Sequence, residues 1–176
     1  QTYKLVFKAG DCLKLVLHET GFSVYFGEKT GYMVEVCALA SGSNGNCYYV
    51  GTDREALLFD AGINNKHLLL RMEERGLDPR KVQAVFISHE HIDHIKGVRV
   101  FCNKFNVPAF FTPGTFYHLS SGNRPKLYRF IKMDSSLQLG CFEVFSFAKN
   151  HDAFEPCSFR VSVDGHQIGI MTDIGS

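Results

Sequence analysis

Three histidines and an aspartate fall within six consecutive positions of this chain, in His89-Glu90-His91-Ile92-Asp93-His94. Imidazole nitrogens and carboxylate oxygens are the donors that borderline and hard divalent cations select. On extended backbone His89 and His91 point to one face and can grip one ion together. Asp93 and His94 stand where the chain turns into a helix, so they can face a second ion beside the first. Two ions about 3.5–4 Å apart can hold a bridging hydroxide that attacks a carbonyl or phosphoryl centre. A single histidine at a strand end is usually an ordinary polar residue, and His18, His67, His118 and His166 are read that way. Four such donors packed behind an apolar strand are not explained by solvation.

The elements that must position this cluster follow from the pattern around it. Val82–Ser88 is nearly all apolar and reads as a strand buried on both faces, with the cluster just past its C-terminal end. Upstream, Val34–Ala40 reads as a strand, the Gly- and Asn-rich Ser41–Asn46 as a turn, and Cys47–Gly51 as the returning strand. Ala56–Phe59 is a further strand running into Asp60-Ala61-Gly62. Leu68, Leu69, Met72 and Leu77 at helical spacing predict a helix that stops near Gly76. A second helix is expected from about Ile92 to Phe105, and Pro108–Thr112 as a buried strand. From Leu137 onward the pattern is β: Leu137–Leu139, Phe142–Phe147, Ser158–Val163 and Gln167–Thr172, with Asp164-Gly165 as a hairpin turn. Strand pairs mixed with strand–helix–strand units predict an α/β layered domain. That domain is expected over residues 33–176. Residues 1–32, with short alternating pieces such as Lys4–Phe7 and Phe22–Phe26 broken by Gly10, Gly21, Gly27 and Gly31, are expected to form an N-terminal extension. The sequence stops at Ile174-Gly175-Ser176 directly after a strand end, so the domain is expected to be truncated on its C-terminal side.

Composition narrows the class. With 176 residues, 45% hydrophobic and 21% charged, the chain suits one globular domain. No apolar run is long enough to span a bilayer, and Lys4, Lys8, Asp11 and Lys14 interrupt any signal-like leader, so neither a membrane nor a secretory reading is supported. Six cysteines occur without a C-x-x-C pair, which argues for free thiols in a reducing cytoplasm. The net charge of +1 is small, yet charge is unevenly spread. Between Asp93 and Asp134 there is no Asp or Glu, whereas proportion would place about four there. The same stretch holds Lys96, Arg99, Lys104, Arg124, Lys126, Arg129 and Lys132, interleaved with aromatic residues of which some could stack on bases. The backbone N–H groups of Ser41–Asn46, Ser43 and Asn44 among them, can likewise present to a phosphate.

The spacing of these motifs resembles the metallo-β-lactamase superfamily over about residues 33 to 176. The matches are Asp60 in Leu57-Leu58-Phe59-Asp60-Ala61-Gly62, the H-x-H-x-D-H at 89–94, His151, and Asp173 in Met171-Thr172-Asp173, in that order. The resemblance implies an αββα sandwich with two divalent metal ions, zinc or manganese. It implies His89, His91 and His151 as ligands of the first metal, Asp93 and His94 as ligands of the second, and Asp173 as the bridging carboxylate. It makes Asp60 a supporting residue behind the ligands. A last metal-binding histidine of the superfamily would follow Asp173, beyond Ser176. Ala38–Val50, Ser88–Val98 and Asn150–Pro156 further resemble the bacterial YycJ/WalJ/VicX group, which implies a DNA exonuclease, 5′-to-3′, linked to DNA repair.

The expected activity is therefore metal-dependent phosphodiester hydrolysis on DNA. Asp93 and Asp173 serve as catalytic residues and Ser43, Asn44, Lys96 and Arg99 as substrate contacts. Two alternatives share the motifs: a metallo-hydrolase of a small thioester, lactone, β-lactam or cyclic phosphodiester, and a non-catalytic regulatory protein with the same fold. Nothing in the sequence fixes an oligomeric state.

Overall fold

In a computed structural model of the chain, residues 33–173 are described throughout; before them the backbone is described at Lys4–Phe7, Leu13–His18 and Gly21–Phe26, with side chains at Ser23 and Val24. These three early segments are strands β1, β2 and β3. Next come β4 (Val34–Ala40), β5 (Cys47–Gly51) and β6 (Ala56–Phe59). Helix α1 (Asn65–Glu73) leads to β7 (Val82–Phe86), and α2 (Ile92–Ile95) and α3 (Val98–Phe105) lead to β8 (Ala109–Phe111). Helix α4 (Pro113–His118) leads to β9 (Tyr128–Phe130). An antiparallel run closes the order: β10 (Ser135–Leu139), β11 (Phe142–Ala148), β12 (Cys157–Val163) and β13 (His166–Met171).

The strands form two sheets. One has eight strands in the sequential order β2 to β9, antiparallel as far as β6 and parallel from β6 to β9. The other has five, ordered β1-β13-β12-β11-β10 and antiparallel throughout. The early strands thus pair into both sheets, β1 beside β13 and β3 beside β4. The turns at Gly10, Gly27 and Gly31, the side chain of His18 and the last three residues lie outside the described residues.

Two apolar clusters fix the layers. Between the sheets, Val36, Tyr48, Leu57, Phe59, Phe86 and Phe110 meet Phe142, Val144, Phe159, Val161, Ile168 and Ile170. Phe59 and Phe86 stack with centroids 5.3 Å apart, and Phe86 stacks on Phe110 at 4.8 Å. On the other face of the larger sheet, Leu39, Leu58, Val85 and Ile87 pack against Leu68 and Met72 of α1, Phe101 of α3 and Phe116 of α4. The architecture is the α/β layered plan of helix, sheet and sheet among the described residues. No helix among them is long and apolar enough to cross a membrane. Cys37, Cys47, Cys102 and Cys157 are free and buried.

The core strands and α1 lie where hydrophobic pattern places them, and β7 is buried except at Gln83. Asn64 caps α1 by accepting from the His67 N–H, and Gly76 takes the left-handed φ of +68° just beyond it. The expected single helix over Ile92–Phe105 is instead α2 and α3. Gly97 N–H donates to Ala61 O at 2.7 Å, outside the helix, and a Cβ at Gly97 would overlap Ile63 O. This close approach breaks the helical ladder at the point where the loop after β6 must pass. Helix α4 and strand β9 were not expected; all three residues of β9 are exposed, so no burial alternation announces it.

Candidate metal centre

The parallel order of β6, β7 and β8 brings their C-terminal ends to one edge, where open α/β sheets bind ligands. Asp60 follows β6, and Ser88 to His94 follow β7. The five-stranded sheet delivers its share from the ends of β11 and β13, which precede His151 and Asp173. The Cys157 N–H donates to Ser88 O at 2.9 Å, tying the start of β12 to the histidine loop.

His89, His91 and His151 come together so that one donor atom of each lies within 4.8 Å of the others. His89, His94 and Asp173 form a second such trio, so His89 reaches both. His89 sits 4.0 Å centroid to centroid from His94 and 4.6 Å from both His91 and His151. Asp173 Oδ2 is 2.8 Å from His94 Nε2 and 3.8 Å from His89 Nε2. Neither oxygen of this buried carboxylate, nor His89 Nε2, has an aligned hydrogen-bond partner. Buried polar atoms left so are rare and costly, and lone pairs converging in this way are what a cation satisfies. The donor set, imidazoles with a carboxylate, fits zinc or manganese. Asp93 stands beside the second trio rather than inside it: its Oδ2 is 3.5 Å from His94 Nε2 and accepts from the Asn46 side-chain amide at 3.3 Å.

Behind these donors lies a relay centred on Asp60. Its Oδ1 accepts from the Ser88 N–H at 2.8 Å, and its Oδ2 accepts from Ser88 Oγ at 2.8 Å and from His94 Nδ1 at 2.7 Å. Ser88 Oγ, having donated to Asp60, accepts from His89 Nδ1 at 2.9 Å. With both Nδ1 atoms turned to this relay, both Nε2 atoms face the donor trios. Asp60 and Asp173 both adopt left-handed backbone, with φ of +58° and +50°. Such conformations concentrate at functional sites, and aspartate tolerates them better than most residues.

Burial alone would lower the His94 pKa. The carboxylates of Asp60, Asp173 and Asp93 outweigh burial and lift it to about 9. Burial, aided by His94 and Lys149, drives His89 far below the ordinary imidazole value. The Lys149 ammonium is itself lowered by burial. It donates to Thr172 O at 2.9 Å, next to Asp173, and lies 3.4 Å from His89 Nδ1. Burial works to raise Asp173, but His94 and then Lys149 hold it below the usual carboxylate range.

Sequence reasoning singled out Ser43 and Asn44 from the loop after β4, and both are exposed, as are Lys96 and Arg99. The residue of that loop that reaches the site is Asn46, which is fully buried. Its amide nitrogen is 3.0 Å from His94 Nε2, its N–H donates to Asp93 O at 2.7 Å, and its carbonyl accepts from the Gly62 N–H at 2.8 Å. Sequence pattern places Asn46 in the turn, and its position directly before the apolar strand β5 is the signal available. Lys149 was likewise missed, and its place two residues before His151 was the only clue. Of the histidines read as ordinary, His67 and His118 lie on helices and His166 is buried at the start of β13.

A family model described as the metallo-beta-lactamase superfamily matches residues 40–132. The chain is 36% identical over 140 residues to "Exodeoxyribonuclease YycJ" of Bacillus anthracis, covering 78% of this chain and 53% of that protein. It is 32% identical over 142 residues to "Exodeoxyribonuclease WalJ" of Streptococcus pneumoniae, with the same coverages of 78% and 53%. It thus spans about half the length of these relatives. Among solved structures, a metallo-beta-lactamase HARLDQ-motif mutant of Cronobacter sakazakii superposes with a TM-score of 0.65 at 15% identity, over 76% of this chain and 58% of that one. That superposition bears out the metallo-beta-lactamase-like fold the resemblance implies, and the chain belongs to the metallo-beta-lactamase superfamily, within its YycJ/WalJ-like group.

Proposed function

We propose that the protein is a metal-dependent phosphodiesterase acting on DNA, an exonuclease of 5′-to-3′ polarity linked to DNA repair. The observation that carries this reading is the pair of donor trios sharing His89, with His89 Nε2 and Asp173 Oδ1 buried without a hydrogen-bond partner. The names of the relatives and the acid-free stretch from residue 94 to 133 support a polynucleotide substrate. His89, His91 and His151 are assigned to one divalent ion, zinc or manganese, and Asp93 and His94 to a second, with Asp173 between them. Divalent ions held by these residues would supply Lewis acidity and an activated hydroxide for attack at phosphorus. Asp173 sets the spacing of the two groups, and Asp93, held by Asn46, orients the nucleophile. Asp60 holds His94 and, through Ser88, His89. Ser43, Asn44, Lys96 and Arg99 are assigned to phosphate contacts at the rim. Residues 33–176 carry this hydrolase unit, residues 1–32 are its N-terminal extension, and the buried free thiols suit a cytoplasmic setting.

The test uses the full-length protein with labelled duplex DNA, and a thioester substrate in parallel. His91→Ala and Asp93→Ala should each abolish metal-dependent DNA degradation while circular dichroism remains native. DNA degradation retained by the purified double variant, or turnover confined to the thioester, would sink the proposal.

A further inference from the structure

The aromatic residues between 105 and 130 divide sharply on burial. Phe110, Phe111 and Phe116 are core, whereas Tyr117 is 65% exposed and Tyr128 and Phe130 are also open to solvent. Phe154, three residues past His151, is 63% exposed. These open rings gather at α4 in two groups. Phe154 stacks nearly parallel on His118 of α4, with 4° between the planes. The neighbouring Tyr117 lies 6.0 Å from Phe130, and Phe130 lies 5.8 Å from Tyr128. Buried Phe116 supports the row from beneath, stacking on Tyr128 at 4.2 Å.

The row is fixed to the metal centre. The Phe154 N–H donates to Glu90 Oε1 at 3.1 Å, between His89 and His91. Glu155 accepts at Oε2 from the Gly114 N–H at 2.6 Å and at its carbonyl from Thr112 Oγ1 at 2.9 Å, clamping the His151 loop to α4. His118 Nδ1 donates to Gly114 O at 2.8 Å, which holds its ring in place. In the same stretch of chain Lys126, Arg129 and Lys132 are exposed, and Arg124 covers the Phe116 ring at 4.9 Å. Tyr117, Tyr128 and Phe130 lie in the acid-free, cation-bearing stretch of chain, and Phe154 joins them at α4 with Asp152 and Glu155 on its flanks; exposed rings beside cations attract a polyanion that carries rings.

Resting on the nuclease reading, we infer that Phe154, Tyr117, Phe130 and Tyr128 form a base-stacking track for single-stranded polynucleotide leading away from the metal centre. Bases of the strand stack on the open ring faces, and the basic side chains neutralise its phosphates. A base that lies on a side-chain ring along the track has left the stack of its own strand, so the track takes a single strand rather than a duplex.

These 176 residues contain no tryptophan, and Phe154→Trp adds a reporter that keeps a stacking ring, read as the difference in emission between the variant and the unsubstituted full-length protein. The metal-loaded full-length protein is titrated with two hydrolysis-resistant phosphorothioate strands of equal length, one of thymidines and one abasic. The thymidine strand should quench the tryptophan and the abasic strand should not. Tyr117→Ala/Phe154→Ala should weaken thymidine-strand binding by about tenfold or more and leave abasic-strand binding within about twofold. Equal affinity of the two strands, unchanged binding by the double variant, or quenching that follows protein concentration rather than added strand would each overturn the track. Wild-type protein that binds the thymidine strand preferentially yet cleaves no DNA would retire the nuclease reading and bear out the track. Protein that cleaves DNA but binds both strands alike would do the reverse.

Discussion

Asp60 is the residue on which the geometry of two imidazoles depends, although the resemblance alone gave it only a supporting place. It accepts from His94 Nδ1 directly and from His89 through Ser88 Oγ. Asparagine tolerates the left-handed backbone Asp60 occupies, so Asp60→Asn keeps the loop conformation while it removes the charge and replaces one acceptor oxygen with a donor amide. His94 then loses its strongest cationic support, and its pKa should fall from about 9. Metal affinity should drop about 10- to 100-fold, as is usual when a carboxylate behind a histidine ligand is lost. Competition with a chromophoric chelator measures this, and unchanged affinity would place the orientation of His89 and His94 elsewhere. At this scale the sequence was legible wherever residue type alone announced chemistry, as at His89, His91, His94 and His151. It was not legible at Asn46 or Lys149. An asparagine in a turn and a lysine after a strand are ordinary in sequence, and only the fold shows that both are carried inward.

At the scale of elements, three loops converge within backbone contact: the turn after β4, the Asp60–Ile63 segment after β6, and the start of α2. Asn46 N–H donates to Asp93 O, Gly62 N–H to Asn46 O, Ala61 N–H to His94 O and Gly97 N–H to Ala61 O. Gly62 is the tightest point, since a Cβ there would overlap the Asp93 carbonyl and crowd Asn46 N. Backbone on both sides cannot yield like a side-chain tip, so Gly62→Ala must push the Asp93 loop away. We expect a loss of about 1–3 kcal/mol by denaturant titration. We also expect bound metal to fall from two towards one per chain by elemental analysis, because Asp93 and His94 move with that loop. A variant with full metal content would show that the loop adapts. The same convergence explains where pattern reading stopped. Strands β4 to β8 are buried and apolar, and helix α1 has a capping asparagine and a terminal glycine, so their period and punctuation survive in the sequence. The break between α2 and α3 is caused by a loop over thirty positions away, and β9 is an exposed edge with no core face, so neither leaves a local trace.

At the scale of the whole molecule the site is a staple. His89, His91 and His94 come from the end of the eight-stranded sheet, whereas His151 and Asp173 come from the five-stranded one, so cations held there join both halves across the inter-sheet core. Metal-free protein should reveal this through its pH dependence. His94 is raised to about 9 in the fold against an ordinary 6.5, so its contribution is complete below 6.5 and is lost as pH rises through 9. His89 is shifted the other way: burial keeps it neutral when folded, and the unfolded chain takes up the proton below 6.5, so stability falls on the acid side. From these two groups, metal-free protein is most stable near pH 6.5. A cation takes the place of the His94 proton, which removes the alkaline loss and steepens the acid one, since ligation requires neutral imidazole. Zinc or manganese at about a hundredfold over its dissociation constant should add about 2.7 kcal/mol for each site filled. The gain in melting temperature should therefore be larger at pH 8.5 than at pH 6, and it should appear in a single transition because both sheets are tied. Calorimetry with chelator and with added metal at the two pH values reads both features. A metal-dependent gain confined to a minor early transition would mean that the ions order only the loops and leave the two sheets independent.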